Sequence, residues 1–218
     1  MSEKIISRII SKKNISPSIY KISLDRNNLN FIPGQHITMN IPGEDKSRLY
    51  SIASGLNDKY LEVLIREIKN GDLSVRFRKL PLESLIEITT PVGYFSLPDN
   101  LFSRKVICIA TGSGIAPFIS FSKSYPDFNF NIIHGVRNME DSLRQELSIN
   151  SNYILCTSKS NEGDFTGRVT AYIKSLKPDK EAYYYLCGNG EMIHEIFTYL
   201  KKENISKDQI YYEEYFNN

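Results

Sequence analysis

The sequence predicts a two-domain chain: an antiparallel six-stranded β-barrel followed by an α/β doubly wound parallel sheet. Two observations carry this. The first hundred residues are short alternating or β-branched runs, cut apart by Asn, Pro, Gly and Asp clusters. Beyond residue 100 the pattern changes to regular strand–helix alternation, which implies a parallel sheet with helices on both faces. A length of 218 residues accommodates two units of roughly 100 residues each. The turn-like Pro98-Asp99-Asn100 separates the two patterns, dividing the chain into 1–99 and 100–218.

In the first half, strands are expected at 4–10, 19–24, 36–41, 48–52, 61–68 and 85–89. The run 61–68, Leu-Glu-Val-Leu-Ile-Arg-Glu-Ile, is the clearest of them. One helix is expected at 72–79. Closing six strands into a barrel removes the exposed sheet edges. In the second half, strands at 105–110, 129–134, 153–157, 183–187 and 209–213 alternate with helices at 115–124, 142–147, 169–176 and 191–203.

Composition narrows the function. Hydrophobic residues make up 41% and charged residues 24% of the chain, which fits a globular protein. A net charge of +2 is too small to argue for bulk nucleic-acid binding. No apolar run approaches the ~20 residues of a membrane helix. The N-terminus reads as a first strand and not a signal peptide, so a cytoplasmic protein with no membrane partner is expected; a monomer is expected too, although no residue here decides it. The three cysteines, Cys108, Cys156 and Cys187, are scattered. An iron–sulfur cluster usually takes about four thiolates, and neither a disulfide framework nor a metal site is expected.

The first stretch that bears on chemistry is Arg48-Leu49-Tyr50-Ser51. On a strand, Arg48 and Tyr50 share one face and Ser51 takes the other. A guanidinium that forks onto phosphate beside a flat ring suits a flavin; read alone, the same four residues also describe an ordinary surface strand. Gly71-Asp72-Leu73-Ser74 opens the first helix, where free backbone N–H groups, a close-approach glycine and a hydroxyl suit a pyrophosphate. An ordinary glycine turn is the alternative.

Further on, Thr111-Gly112-Ser113-Gly114-Ile115-Ala116-Pro117 follows the first strand of the parallel sheet, where ligands bind at the carboxyl ends of strands. It is neither Gly-x-Gly-x-x-Gly nor a Walker A loop. Pro117 suits a first helical turn. Cys187, in Cys187-Gly188-Asn189-Gly190-Glu191-Met192, arrives at the same edge, although a free cysteine is most often core. His134 and His194 read as structural. Arg137, Lys159 and Arg168 follow successive strands and suit the 2′-phosphate of NADP(H), with Glu162 and Asp164 in the same loop as a counter-argument. The tail Tyr211-Tyr212-Glu213-Glu214-Tyr215-Phe216 is unusually aromatic for a chain end, which implies docking on a flat surface, either a ligand or the protein core.

Taken in order, Pro33-Gly34-Gln35, Arg48-x-Tyr50-Ser51, Gly71-x-x-Ser74, Pro91-Val92-Gly93, Thr111-Gly-x-Gly-x-Ala-Pro117, His134-Gly-Val-Arg137, Thr166-Gly-Arg168, Cys187-Gly-x-x-x-Met192 and Glu213-x-Tyr215 resemble the ferredoxin–NADP⁺ reductase family, more closely its bacterial ferredoxin/flavodoxin reductases. The resemblance runs along nearly the whole chain.

The resemblance implies FAD and NADP(H) as cofactors, hydride transfer to flavin N5, and ferredoxin or flavodoxin as the one-electron partner. Arg48, Gly71 and Ser74 would bind the FAD pyrophosphate and Tyr50 would stack on the isoalloxazine. Ser51 would sit near N5, Tyr215 would cover the other ring face, and Phe216 would stack on the adenine. Thr111, Gly112, Gly114 and Pro117, with Met192, would bound the nicotinamide and pyrophosphate site. Arg137, Ser158, Lys159 and Arg168 would address the 2′-phosphate. Cys187 would lie beside the nicotinamide, and Glu213 would belong to the proton-relay region. Lys159 stands where the bacterial relatives carry Arg, which removes a planar fork. An NAD(P)H:flavin reductase or the reductase component of an oxygenase system on the same scaffold is the alternative.

Overall fold

The computed structural model describes residues 3–68 and 71–215. Its first half holds β1 (Lys4–Asn14), β2 (Ile19–Asp25), β3 (His36–Asn40), β4 (Ser47–Ser51), β5 (Tyr60–Arg66), α1 (Leu73–Lys79) and β6 (Leu85–Thr89). The strands form one antiparallel sheet in the order β4-β3-β6-β1-β2-β5. A bridge between Ile52 and Val63 and a hydrogen bond from Ala53 N to Glu62 O at 2.8 Å join its two ends. Residues 4–8 of β1 pair with β6, residues 9–14 pair with β2, and a bulge falls between Ile9 and Ser11. Such a bulge bends a strand around a corner, which closure requires. Alternate residues, among them Ile22, Leu24, Ile37, Met39, Val63 and Ile65, fill the interior, and α1 adds Leu73 and Phe77 to it.

The second half holds β7 (Val106–Thr111), α2 (Ala116–Ser124), β8 (Asn131–Val136), β9 (Asn152–Thr157), β10 (Phe165–Thr166), α3 (Val169–Ser175), β11 (Tyr183–Asn189), α4 (Gly190–Lys202) and β12 (Ile210–Tyr215). All six strands are parallel, in the order β10-β9-β8-β7-β11-β12. The order reverses between β7 and β11, and a crevice at such a switch point is where an open α/β sheet binds ligands. α2 packs on one face of the sheet, while α3 and α4 pack on the other. The α2 side is continuous with the barrel: Ile19, Ala53, Leu64 and Phe95 share one buried cluster with Ala116, Phe118, Phe121 and Tyr185.

Two expectations are corrected. The helix expected at 142–147 is absent. In its place are two three-residue 3-10 turns, Met139–Asp141 and Arg144–Glu146, with Ser142 and Leu147 extended. So short a segment has little helical stability of its own, and tertiary contacts set its path. Leu143 is fully buried, and Glu146 reaches into the first half to bond Lys21 at 2.6 Å and Lys13 at 3.2 Å. Burial alone would raise the Glu146 carboxyl, but the two lysines outweigh it and hold it below the usual carboxylate range. Lys21 also bridges to Glu62, which in turn meets Lys123 of α2 at 3.0 Å.

The second correction concerns the chain end. The strand expected at 209–213 runs on to Tyr215, in parallel register with β11. Most of its aromatic character is absorbed by the protein. Tyr211 stacks on Tyr185 with centroids 4.6 Å apart and planes at 6°, and Tyr212 meets Phe197 edge-on.

Candidate active site between the two halves

β12, the edge strand of the parallel sheet, brings Glu213 and Tyr215 against β4 of the barrel. Tyr215 donates its hydroxyl to Ser51 Oγ at 2.7 Å. Ser51 donates in turn to Glu213 Oε1 at 2.6 Å. Cys187 is paired with Glu213 in the β11–β12 register and lies in hydrogen-bonding contact with Tyr215. Ser51, Cys187, Glu213 and Tyr215 therefore converge, although they come from both ends of the chain. Burial, reinforced by Glu213, pushes the Cys187 thiol well above its ordinary pKa, and burial with Cys187 and Glu213 does the same to the Tyr215 phenol. Both are neutral at physiological pH. His36 Nδ1 stands 3.6 Å from the other Glu213 oxygen. His36 carries no role in the sequence beyond opening a strand.

Tyr50 occupies the neighbouring position on β4. Its half-buried ring packs edge-on against Phe77, with centroids 6.2 Å apart. Burial, against the opposing effect of Arg48, pushes its phenol up to about 12. Arg48 is exposed and bonds only the carbonyl of Ser47 among the described residues. The segment leading into β4 is tied to the start of α1: Lys46 meets Asp72 at 2.7 Å, and Glu44 bonds Arg76 at 2.7 Å. Gly71 and the buried Ser74 lie at that same helix start, with Ser74 Oγ accepting from Ile68 N at 3.3 Å. A guanidinium free of carboxylates, a hydroxyl at a helix start and a ring with a supported face form a donor set that fits FAD. Phe216 lies outside the described residues.

At the switch point, Thr111 ends β7 and Gly112 adopts φ +53°, where a side chain is strained. Gly114 packs so closely on β11 that a Cβ would stand 2.5 Å from Cys187 O. Thr111 Oγ1 accepts from Asn189 N at 3.0 Å, binding the two turns together. Pro117 lies in the first turn of α2. Met192 is buried in α4, and its N–H is capped by Asn189 Oδ1 at 3.1 Å.

Arg137, Ser158, Lys159 and Arg168 are exposed at the carboxyl edge of β8, β9 and β10. The backbone N–H groups of Ser158 and Lys159 bond the carbonyls of Val136 and Arg137, so the loops carrying the first three meet. No ion pair involves Arg137, Lys159 or Arg168 among the described residues. Asp164 accepts from Leu155 N at 2.8 Å.

One contributor, Arg66, went unread in the sequence, and a second, His134, was read without its target. Arg66, at the end of β5, places Nη1 3.8 Å from where a Cβ on Gly112 would lie, so a barrel cation reaches the glycine-rich turn. His134 is fully buried and bonds Gly112 O at 2.8 Å. The structural role expected of it holds, and its target is this turn.

Comparison with known proteins agrees with this geometry. Residues 7–97 match the oxidoreductase FAD-binding domain family, and residues 108–197 match the oxidoreductase NAD-binding domain family. The toluate 1,2-dioxygenase electron transfer component of Pseudomonas putida is 28% identical over 95% of this chain, and the chain spans 65% of that relative's length. A ferredoxin NADP⁺ reductase from Neisseria gonorrhoeae, solved with FAD and NADP, superposes with a TM-score of 0.88 over 99% of this chain and 100% of its own, at 20% identity. The ferredoxin–NADP⁺ reductase of Plasmodium falciparum superposes with a TM-score of 0.83 at 25% identity, covering 97% and 96% of the two chains. With an FAD-binding barrel followed by an NAD-binding sheet, the chain belongs to the ferredoxin–NADP⁺ reductase family of oxidoreductases.

Proposed function

We propose that the protein is an FAD-dependent NADP(H):ferredoxin or flavodoxin reductase of the bacterial type. The observation that carries this reading is the convergence of Ser51, Glu213, Tyr215 and Cys187 beside Tyr50 at the junction of the two halves. Bound FAD supplies two-electron exchange with a nicotinamide and one-electron exchange with a carrier protein.

The chain's own residues bind, orient and move protons. Arg48, Gly71 and Ser74 hold the FAD pyrophosphate, and Tyr50 supports one ring face. Ser51, bonded to the Glu213 carboxylate, holds a proton at the ring edge and exchanges it through Glu213. Tyr215 covers the second ring face and must swing away from Ser51 to admit the nicotinamide, as near-contact geometry demands. The neutral Cys187 thiol then packs beside the pyridine ring. Thr111, Gly112, Gly114, Pro117 and Met192 shape the turn under the dinucleotide, with Arg66 reaching across from the barrel. Arg137, Ser158, Lys159 and Arg168 take the 2′-phosphate. An iron–sulfur centre needs about four thiolates and this chain has three scattered cysteines, so the electron carrier is a separate protein or domain.

A second reading, the reductase of an oxygenase system, is favoured by the likeness to the toluate dioxygenase component. Steady-state turnover with NADPH and NADH, each against ferredoxin, flavodoxin and free FMN, decides between them. NADPH preference with rapid reduction of a carrier protein supports the first reading. NADH preference with free flavin as the better acceptor overturns it. A purified protein with no flavin absorbance and no FAD affinity defeats both.

A further inference from the structure

We propose that His134 and Tyr153 are positioning residues for the dinucleotide, a pair that orients the Gly112–Ser113 peptide through a hydrogen-bond chain of fixed polarity. The inference rests on the reading that this turn lies under the dinucleotide.

The chain of contacts is short and buried. His134 Nε2 lies 2.8 Å from Gly112 O, and His134 Nδ1 lies 2.7 Å from Tyr153 OH. A carbonyl only accepts, so Nε2 carries the hydrogen. Burial pushes the imidazole down to about 4, so the ring is neutral and owns a single N–H. Nδ1 must then accept, and Tyr153 must donate to it. The Tyr153 oxygen is itself approached by Ser142 Oγ at 3.3 Å and by the Leu143 backbone N–H. Every hydrogen along the row therefore points the same way: the Gly112 carbonyl fixes the Nε2–H tautomer, and Tyr153, by donating to Nδ1, holds the ring where that N–H meets the turn. His134 is completely buried, so no bulk water substitutes for a lost partner.

The consequence lies in the peptide plane. In a trans peptide the carbonyl and the following N–H point in opposite directions. Drawing Gly112 O towards His134 thus turns the Ser113 N–H away from it. That N–H belongs to the opening turn of a 3-10 helix, Gly112–Ile115, where amides lack an internal acceptor and suit a phosphate oxygen. Gly112 at φ +53° has few intrinsic restraints on this peptide, which is why an external one matters. The segment 139–147, although remote from the cleft in sequence, thereby acts on it through Tyr153.

The test uses the flavin-loaded protein and the variants Tyr153→Phe, His134→Gln and His134→Leu. Tyr153→Phe should weaken NADP⁺ and NAD⁺ binding about tenfold and raise KM for NADPH alike. FAD content and the limiting rate of flavin reduction should stay within about twofold. His134→Gln, which keeps a donor near the Nε2 position, should recover most of the affinity lost in His134→Leu. Ring ¹⁵N NMR without nucleotide should show the Nε2–H tautomer in the wild type, with the Nδ1 resonance moving in Tyr153→Phe as that nitrogen loses its donor. An Nδ1–H tautomer in the wild type overturns the proposal, as does unchanged affinity and KM in a folded Tyr153→Phe protein. If wild-type protein binds neither dinucleotide, the functional reading fails; the tautomer measurement still decides whether Tyr153 and His134 orient the peptide.

Discussion

The Tyr215 hydroxyl donates to Ser51 Oγ at 2.7 Å, so the last described residue closes onto the fourth strand of the barrel. The same hydroxyl touches Cys187. One side chain thereby joins β4, β11 and β12.

Replacing that side chain should open the entrance. On the proposal that Tyr215 covers the flavin ring, Tyr215→Ser removes the competitor of the nicotinamide, so dinucleotide binding should tighten by about tenfold, ~1.4 kcal/mol, and discrimination between NADPH and NADH should shrink. Difference-absorbance titration with NADP⁺ and NAD⁺ reads both quantities. Affinities and kinetics unchanged for both coenzymes would count against Tyr215 as the gate.

The cysteines should be unreactive in the native protein. All three are free and buried, and burial holds the thiols of Cys108, Cys156 and Cys187 above their ordinary pKa. Nucleophilic attack needs the thiolate. At pH 8 a disulfide reagent should titrate less than one thiol rapidly in the native state and three after denaturation. Fast labelling of Cys187 alone would show that the cleft opens far more than this structure does.

Glu146 should couple the two halves. Glu146→Ala leaves Lys21 without its shortest ion pair, and losses of this kind cost about 1–3 kcal/mol. Because the folded carboxyl sits below its unfolded value of 4.5, the contribution is full above that pH. It fades as pH falls through the folded value. Denaturant unfolding of wild type and variant should therefore differ at pH 7 and converge in acid. A constant difference across that range would refute the ionic origin.

His134 works in a higher window. Its unfolded value of 6.5 drops to about 4 in the fold, so the unfolded state binds the extra proton between those limits. Stability is full above 6.5 and declines as pH falls towards 4, by roughly 3 kcal/mol in total. His134→Gln should flatten that part of the stability profile, measured by denaturant midpoints at half-unit steps. An unaltered slope would mean that the ring is not held neutral.

Much of this was legible beforehand because it rests on local rules. Alternation in 61–68 announced β5, and the strand–helix alternation beyond residue 100 announced the parallel sheet. Arg48, Tyr50 and Ser51 lie together because strand geometry places them together. The segment 142–147 misled for the opposite reason. Its helix-compatible residues are pulled into turns by Leu143 burial and by Glu146 reaching two lysines of the other half.

The residues alone determined two folding units, the strands of each, the glycine turns, and a set of side chains suited to a flavin and a pyridine nucleotide. Spacing along the chain and backbone stereochemistry are enough for that. Only the tertiary structure decided that Tyr215 meets Ser51, that Arg66 reaches Gly112, that His36 faces Glu213, and that His134 bonds both Tyr153 and the glycine turn. Each of those pairings depends on how the strands are ordered and how the barrel docks on α2. Their energy comes from burying distant segments against each other, which no local pattern in the sequence encodes.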